Sequence, residues 1–197
     1  GGRRGIGKSI ALALAEFGAD VAICDIIIND GELESVAQEI RAFGRRSLYV
    51  QTDISQETDV DNLIRRVIDE FGKIDILVNN AGIHMTGPIN KTSLEDWKEI
   101  IDINLWSVIY GVHTFLPHFE ERGSGYFVNT GSIAGQGGMQ DSNVPYTTTK
   151  FGVVGLSEGM AYNLYGTGIG VTVICPGVVQ TRIMADERVI DPEGVSS

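Results

Sequence analysis

Short β-branched runs alternate with longer amphipathic stretches along almost the whole 197-residue chain. This alternation predicts an α/β fold, a doubly wound parallel sheet whose strands are joined by helices that cover both of its faces. The length suits one such domain, so we expect residues 1–197 to form a single domain. The expected strands are Val21–Cys24, Ser47–Gln51, Ile74–Asn79, Tyr126–Thr130 and Val171–Cys175.

The helices between these strands are expected from apolar residues that recur at the spacing of one helical face. A serine followed three residues later by an aspartate, Ser93 and Asp96, predicts a capping box that opens a further helix with Trp97, Ile100 and Ile101. The clearest stripes are Leu33, Val36, Ala37 and Ile40 in one helix and Val60, Leu63, Ile64, Val67, Ile68 and Phe71 in the next.

Charge and composition narrow the classes of partner. The chain has 15 Lys and Arg against 26 Asp and Glu, a net charge of -11. Nucleic acids and anionic membranes attract positive charge, so we expect neither as a general partner. No apolar run approaches the roughly 18 residues of a membrane span. Only two cysteines occur, Cys24 and Cys175, which fits a reduced compartment and predicts a cytoplasmic protein.

Polar and glycine-rich segments follow each expected strand. A doubly wound sheet binds its ligand at the carboxyl ends of its strands, so these segments are candidate ligand contacts. Each taken alone is also explained by ordinary turn chemistry. Their recurrence at one sheet edge favours a site formed by Asp25, Asp53, residues 79–82, Gly131 with Ser132, and Pro176 with Gly177.

A glycine-rich segment opens the chain and leads into a helix. Glycines let the backbone approach a pyrophosphate, whose charge the helix N-terminus stabilises. Asp25 lies 18 residues beyond Gly7, close to the spacing of about 20 at which an acid accepts hydrogen bonds from an adenosine ribose. A carboxylate there repels a 2′-phosphate and favours NAD, whereas the guanidinium of Arg4 would favour NADP. We weigh Asp25 more heavily and expect NAD, with NADP as the alternative.

Tyr146 and Lys150 are four residues apart, which places them on one face of a helix. A free tyrosine has a pKa of about 10, and a nearby ammonium together with an oxidised nicotinamide ring would favour its ionised form. The pair therefore predicts a tyrosine that serves as a base near neutral pH. A chance pair on a solvated helix face is the alternative.

Taken together, six motifs resemble the short-chain dehydrogenase/reductase family over residues 1 to about 185. The resemblance implies a Rossmann-like fold and NAD(P)-dependent hydride transfer. The motifs are Gly1-x-x-x-Gly5-Ile6-Gly7, Asn79-Asn80-Ala81-Gly82, Asn104, Ser132, Tyr146-x-x-x-Lys150 and Pro176-Gly177-Val178-Val179-Gln180-Thr181.

The resemblance also implies roles for four catalytic residues. Tyr146 would exchange a proton with the substrate oxygen, and Ser132 would donate a hydrogen bond to the same oxygen. Lys150 would lower the pKa of Tyr146 and hold the nicotinamide ribose. Asn104 would hold a water that links Lys150 to solvent. From the residues alone, Ser132 could instead be a turn serine and Asn104 a helix N-cap.

Further residues are implied to contact the cofactor. Asp53 would meet the adenine amino group, and Val179 and Thr181 would meet the nicotinamide carboxamide and the phosphates. The whole implied set is Gly1, Arg4, Gly5, Ile6, Gly7, Asp25, Asp53, Ile54, Asn80, Ala81, Gly82, Tyr146, Lys150, Pro176, Gly177, Val179 and Thr181.

No metal is expected, because the three histidines have no metal-ligand spacing. Five side chains could line a substrate pocket: His84, Met139, Gln140, Val144 and Met184. Of these, Met139, Val144 and Met184 hint at an apolar substrate.

We therefore expect an enzyme that interconverts a small-molecule secondary alcohol and a ketone. Three alternatives remain: a ketoacyl thioester reductase, a nucleotide-sugar epimerase or dehydratase, and a dinucleotide-binding regulator without turnover. The resemblance implies a homo-oligomer, a dimer or a homotetramer. It also implies a strand before Gly1 and a substrate lid after Ser197, so we expect a longer polypeptide.

Overall fold

A computed structural model of the chain describes residues 1–137, 143–180, 183 and 188–190. Contacts within the chain group its residues into two compact units, Gly1–Asp75 and Ile76–Ser197. The single-domain organisation expected for residues 1–197 stays a prediction.

The first unit alternates helix and strand. Strands β1 and β2 run parallel, with Val21 opposite Ser47 and Asp25 opposite Gln51. Because the strands are parallel, their carboxyl ends lie at the same edge of the sheet. The elements are α1 (Gly5–Glu16), β1 (Val21–Asp25), α2 (Glu32–Ala42), β2 (Ser47–Gln51) and α3 (Glu57–Phe71).

The core of the first unit follows the apolar stripes of its helices. All four stripe residues of α2 are buried and pack with residues of α1 and β1. On α3 the buried members of the stripe are Val60, Ile64 and Val67. The buried cluster consists of Ala11, Ala15, Val21, Ile23, Leu33, Val36, Ala37 and Ile40.

The second unit contains a three-stranded parallel sheet in the order β3-β5-β6 and a short parallel pair of β4 with β7. A π-helical turn, Asp102–Trp106, connects α4 to α5. The elements are β3 (Ile76–Asn79), β4 (Met85–Thr86), α4 (Leu94–Ile101), α5 (Ser107–Arg122), β5 (Gly125–Thr130), α6 (Val144–Asn163), β6 (Ile169–Ile174) and β7 (Arg188–Val189), with 3-10 turns at Ile89–Lys91 and Ile133–Gly135.

A buried amide network joins two strands of this sheet to α6. Asn79 Nδ2 donates to Asn129 Oδ1 at 2.9 Å, and Asn129 Nδ2 donates to Ser157 Oγ at 2.9 Å. Gly111 of α5 lies against the network, because a Cβ there would come within 2.5 Å of Asn79 Oδ1. Buried amides need such partners, so the network restricts the packing of β3, β5 and α6 to one arrangement.

The five expected strands are present, with bounds that shift by up to two residues, and the α/β class is confirmed. Strand β6 begins at Ile169 rather than Val171 because Ile169 pairs with Gly125. The capping box is also confirmed: Ser93 Oγ accepts from the Asp96 amide, and Asp96 accepts from the Ser93 amide. Strands β4 and β7 were not expected, because two-residue strands carry no alternation. Within the described residues, no helix combines the length and apolar character that crossing a bilayer requires.

Candidate active site

In the first unit the glycine-rich segment is anchored to the end of β1. The Gly2 amide donates to Cys24 O at 2.8 Å, and a Cβ on Gly2 would lie 2.9 Å from Ile23 Cβ, so glycine is required there. Helix α1 begins at Gly5, and its N-cap Arg4 makes no side-chain hydrogen bond to the first-turn amides. The first turn also contains no acidic residue. These amides therefore suit a phosphate, so the segment fits the pyrophosphate of a dinucleotide.

Asp25 is the last residue of β1 and is paired with a residue that sequence analysis missed. Its Oδ1 lies 3.6 Å from Nε of Arg3, and the Ile27 amide donates to the same oxygen at 3.2 Å. Burial by itself would raise the pKa of Asp25. The Ile27 amide and the Arg3 guanidinium act in the opposite direction and favour the ionised carboxylate.

Arg3 contacts two further carboxylates besides Asp25. Its Nη1 donates to Asp30 and, at 2.9 Å, to Glu32 Oε2. We name Arg3, Asp25, Asp30 and Glu32 the Arg3 cluster. The only signal in the sequence was a second arginine beside Arg4 and two acids beyond Asp25, which gives no reason to pair them. Arg4 is half-buried at the start of α1, and its contact with a 2′-phosphate stays a prediction.

Asp53 lies two residues beyond β2, and its carboxylate is used in a turn. Oδ1 accepts from the Ser55 amide at 3.0 Å and from Ser55 Oγ at 2.6 Å, while the Asp53 amide donates to Asp59 Oδ2. Ile54 lies half-buried within this turn. Turn chemistry thus accounts for the carboxylate contacts seen, and the adenine contact of Asp53 stays a prediction.

In the second unit, α6 carries Tyr146 and Lys150 one turn apart, and both side chains are buried, 9% and 4% exposed. Lys150 Nζ donates to Thr130 O at 2.9 Å and lies 5.6 Å from the centre of the Tyr146 ring. The alternative that this pair lies on a solvated helix face is therefore wrong.

Burial shifts the pKa of both residues. It lowers the pKa of Lys150 from 10.5 to about 8, with a small opposing effect of the Cys175 charge. It raises the pKa of Tyr146, and a hydrogen bond with Ser132 acts in the opposite direction. The lowered tyrosine pKa was expected with an oxidised nicotinamide ring beside the pair, so it stays a prediction. Desolvation of the phenolate dominates, and the ammonium is engaged with the Thr130 carbonyl.

Ser132 follows β5 and has two roles. Its Oγ accepts from the Ala134 amide at 3.2 Å, which starts the turn Ile133–Gly135, and its hydroxyl acts to lower the pKa of Tyr146. The turn lies tightly against α6, because a Cβ on Gly135 would come within 2.5 Å of Lys150 O. Ser132 is therefore a turn serine and a partner of the tyrosine at once.

Asn104 lies within the π-helical turn, so the helix N-cap alternative is wrong. Its Oδ1 accepts from the Ile83 amide at 2.8 Å, and its Nδ2 donates to Ile83 O at 2.9 Å and to Thr149 Oγ1 at 3.3 Å. A Cβ on Gly82 would lie 3.1 Å from Asn104 Oδ1 and 3.6 Å from Lys150 Nζ. Asn104 and Lys150 thus both border Gly82. We name Asn104, Ser132, Tyr146 and Lys150 the Tyr146 cluster.

His84 is a contact of Tyr146 that the sequence only hinted at. The two rings meet edge to face, with centres 4.6 Å apart, and His84 is buried. The sequence signal was its position directly after residues 79–82. Tyr146 also packs in an apolar cluster with Met85, Ile100 and Ala134. Among the described residues, no group of His, Cys, Asp and Glu side chains has the arrangement of a metal site.

The structure shows contacts for some of the remaining candidate residues, shows only the exposure of others, and does not describe the rest. Asn80 Oδ1 accepts from Thr130 Oγ1 at 3.3 Å, and Ala81 follows it beyond the end of β3. Pro176 O accepts from the Ile133 amide at 3.0 Å, which links the end of β6 to the serine turn. Gly177, Val178 and Val179 are exposed beyond it, as is Val144 at the start of α6. Thr181, Met139, Gln140 and Met184 lie outside the described residues.

A parallel α/β scaffold with a glycine segment at a helix N-terminus and a buried tyrosine beside a lysine and a serine indicates the class of NAD(P)-dependent oxidoreductases. Comparison with known proteins narrows this class to a family. The family model described as short chain dehydrogenase matches residues 1–189. The chain therefore belongs to the short-chain dehydrogenase/reductase family.

Curated relatives include several dehydrogenases and reductases. The chain is 37% identical over 202 residues to 3beta-hydroxysteroid dehydrogenase 2 of Eggerthella lenta, covering 100% of this chain and 75% of the relative. It is 35% identical to the 3-oxoacyl-[acyl-carrier-protein] reductase FabG of Staphylococcus epidermidis, covering 95% of this chain and 77% of the relative. It is 38% identical to the (2S)-[(R)-hydroxy(phenyl)methyl]succinyl-CoA dehydrogenase subunit BbsD of Thauera aromatica, covering 92% and 71%.

Solved structures of the family have the same fold. A short chain dehydrogenase/reductase from Burkholderia phymatum, in complex with NAD, matches with a TM-score of 0.88 at 30% identity, covering 94% of this chain and 66% of that chain. A dehydrogenase/reductase from Sinorhizobium meliloti 1021 matches with a TM-score of 0.88 at 29% identity, covering 93% and 71%. The Rossmann-like fold is confirmed, and the protein is an NAD(P)-dependent oxidoreductase that acts on CH–OH groups.

Proposed function

We propose that the protein prefers NAD and interconverts an apolar secondary alcohol and its ketone, with Tyr146 as the proton donor and acceptor. The observation that carries the proposal is the burial of Tyr146 and Ser132 in one unit, with Lys150 Nζ 5.6 Å from the centre of the tyrosine ring. A hydroxyl pair of this kind can bind one substrate oxygen at two points.

Tyr146 holds the proton that the substrate oxygen receives. Burial raises its pKa, so the phenol is protonated at neutral pH and is suited to donate to a ketone oxygen. Ser132 donates a hydrogen bond to the same oxygen and orients the carbonyl. The nicotinamide, when bound, supplies or accepts the hydride. In reduction the ketone carbon gains that hydride and the oxygen gains the proton from Tyr146 Oη, and in oxidation both leave.

Lys150 and Asn104 support the proton transfer. An ammonium next to a phenolate stabilises it, so Lys150 favours the state in which Tyr146 has given up its proton. Family resemblance supports two further roles: Lys150 holding the nicotinamide ribose hydroxyls, and Asn104 holding a water that returns protons from solvent. The position of both residues at Gly82 agrees with these roles.

Cofactor contacts are proposed for each unit by itself. In the first unit, the amides of Gly5–Gly7 would hold the pyrophosphate, and Asp25 would accept hydrogen bonds from the adenosine ribose. Gly1, Arg4, Asp53 and Ile54 complete this set. The position of the Asp25 carboxylate at the end of β1 supports NAD over NADP, because a carboxylate there would repel a 2′-phosphate. In the second unit the proposed contacts are Asn80, Ala81, Gly82, Tyr146, Lys150, Pro176, Gly177, Val179 and Thr181.

An apolar substrate is supported by the surroundings of Tyr146. Its ring packs in a cluster with Met85, Ile100 and Ala134, against which Ile83 and Ile101 also lie. The Eggerthella lenta relative is named a hydroxysteroid dehydrogenase, which agrees with a large apolar substrate. A ketoacyl thioester reductase is the second candidate, because the Staphylococcus relatives are named as 3-oxoacyl-[acyl-carrier-protein] reductases.

The test is a panel of steroid alcohols, steroid ketones, simple aliphatic ketones and a ketoacyl thioester, each assayed with NAD(H) and NADP(H). We expect turnover of an apolar alcohol or ketone with NAD(H). Tyr146→Phe should then lower kcat by about a hundredfold to ten-thousandfold, because the proton donor is lost. The control is Tyr162→Phe on the exposed face of the same helix, which should retain full activity. Full turnover by Tyr146→Phe would reject the mechanism.

We also propose a homo-oligomer, a dimer or a tetramer, in the cytoplasm. Large apolar side chains stay exposed on α6 and beside α5, among them Trp106 and Phe151, and such exposure is typical of an interface. Light scattering coupled to size-exclusion chromatography should give a mass two or four times that of the chain, and a monomer would contradict the proposal.

A further inference from the structure

The Arg3 cluster holds one positive and three negative side chains at the site proposed for the adenosine ribose. Arg3 is 7% exposed, and its guanidinium faces Asp25, Asp30 and Glu32, which are 12%, 35% and 49% exposed. One cation against three carboxylates leaves an excess of two negative charges. A 2′-phosphate brought to Asp25 would therefore meet repulsion from more than that one carboxylate.

Arg3 is held beside Asp25 at the end of β1. The neighbouring Gly2 is fixed against β1 by its hydrogen bond to Cys24 O, so the backbone cannot move away easily. Among the described residues no group accepts a hydrogen bond from Arg3 Nε, whose nearest carboxylate oxygen is Asp25 Oδ1 at 3.6 Å. Arg3 Nε thus lies beside Asp25 as a hydrogen-bond donor that is not used by any described residue, while Arg3 Nη1 donates to Asp30 and Glu32.

We propose that Asp30 and Glu32 are specificity-determining residues that keep Arg3 engaged and add negative charge beside Asp25, raising the preference for NAD over NADP beyond what Asp25 alone provides. This inference rests on the proposed cofactor site. It adds Arg3 to Arg4 as an arginine that would meet a 2′-phosphate once the two acids are neutralised.

A purely structural role is the competing explanation. Asp30 Oδ1 accepts from the Glu32 amide at 3.0 Å and so also orders the first turn of α2. Asp30→Asn and Glu32→Gln keep an oxygen at each position and remove only the charge. The double variant therefore leaves Arg3 facing one carboxylate without deleting any side chain.

The experiment measures equilibrium dissociation constants for NAD⁺ and NADP⁺ by calorimetry at low ionic strength, where the charges are least screened. In the double variant we expect the ratio of the NADP⁺ constant to the NAD⁺ constant to fall about tenfold, since each partly exposed pair contributes modestly. Glu32→Gln alone should lower it about threefold. Adding Arg3→Gln to the double variant should raise this ratio again, because the substitution removes the group that would bind the 2′-phosphate.

Glu34→Gln is the matched control, because it removes the same charge from the first turn of the same helix at an exposed position. Its ratio should stay close to that of the wild type. An unchanged ratio in a folded double variant, or an equal effect of Glu34→Gln and Glu32→Gln, would overturn the inference. If the double variant does not fold, the comparison of Glu32→Gln with Glu34→Gln decides. Failure of the wild type to bind either dinucleotide would overturn the proposed function, and the inference with it.

Discussion

The Arg3 cluster and the Tyr146 cluster are both polar, but they differ in the exposure and in the charge of their side chains. In the Arg3 cluster, full charges lie close together, and two of its four side chains are a third or more exposed. In the Tyr146 cluster, all four side chains are less than a tenth exposed, and a single potential cation is tied to a backbone carbonyl. Exposed charged side chains can discriminate among charged ligands while contributing little to the stability of the fold. Buried polar side chains have shifted pKa values, and removing one partner of a buried pair strongly destabilises the fold.

The largest effect that separates the two clusters should come from the charge of Lys150. Its pKa is about 8 in the folded protein and near 10.5 when unfolded, so its burial destabilises the fold below pH 8 and no longer does so above pH 10.5. The free energy of unfolding of the wild type should rise by about 3 kcal/mol over that interval relative to Lys150→Met. Denaturant titrations across this pH range measure the difference.

The matched control is Lys73→Met, because Lys73 lies at an exposed position of the first unit. Its pH dependence should follow that of the wild type. If the free energies of unfolding of the wild type and Lys150→Met changed in parallel with pH, burial would not shift the pKa of Lys150. The two clusters would then not differ in the way described above.

A smaller loss is expected at Asn104. Asn104→Ala removes the partners of both the Ile83 amide and the Ile83 carbonyl and should lower the free energy of unfolding by about 2 to 3 kcal/mol. The exposed Asn62→Ala on α3 is the control and should have little effect. Equal urea midpoints for the two variants would mean that the side chain of Asn104 does not hold Ile83.

His84 tests whether the Tyr146 ring needs its edge contact. His84→Ala should lower kcat by up to about tenfold, because an aromatic pair of this geometry is worth about 0.5 to 1.5 kcal/mol. His84→Phe retains an aromatic ring there and should restore most of the loss, with KM nearly unchanged in both. If the phenylalanine variant is as slow as the alanine variant, His84 acts through its imidazole nitrogens and not through ring contact.

The smallest effect is expected from a single charge of the Arg3 cluster. Glu32→Gln should change the free energy of unfolding by about 0.5 kcal/mol or less, because the pair is half exposed, and added salt should reduce the difference further. Glu34→Gln serves again as control in the same urea titration. A loss as large as that of Asn104→Ala would show that the Arg3 cluster is a structural element like the Tyr146 cluster.

Local patterns were enough to predict most of the strands and helices. The α2 stripe is buried as predicted, and the Ser93 capping box forms, because both depend on residues three or four apart in one helix. The strand bounds depended on pairing across the sheet, so β6 begins two residues earlier than its own composition indicated. The pairing of β4 with β7 joins segments about one hundred residues apart in sequence and had no local signal.

For the candidate site, the sequence by itself determined the α/β class, the order of the motifs and the one-turn separation of Tyr146 from Lys150. These follow from periodicity and spacing along one chain. Only the tertiary structure decided that both residues are buried, that burial raises the pKa of Tyr146, and that Arg3 pairs with Asp25. Desolvation and ion pairing depend on what surrounds a group in space, and those neighbours come from segments whose approach no local pattern records.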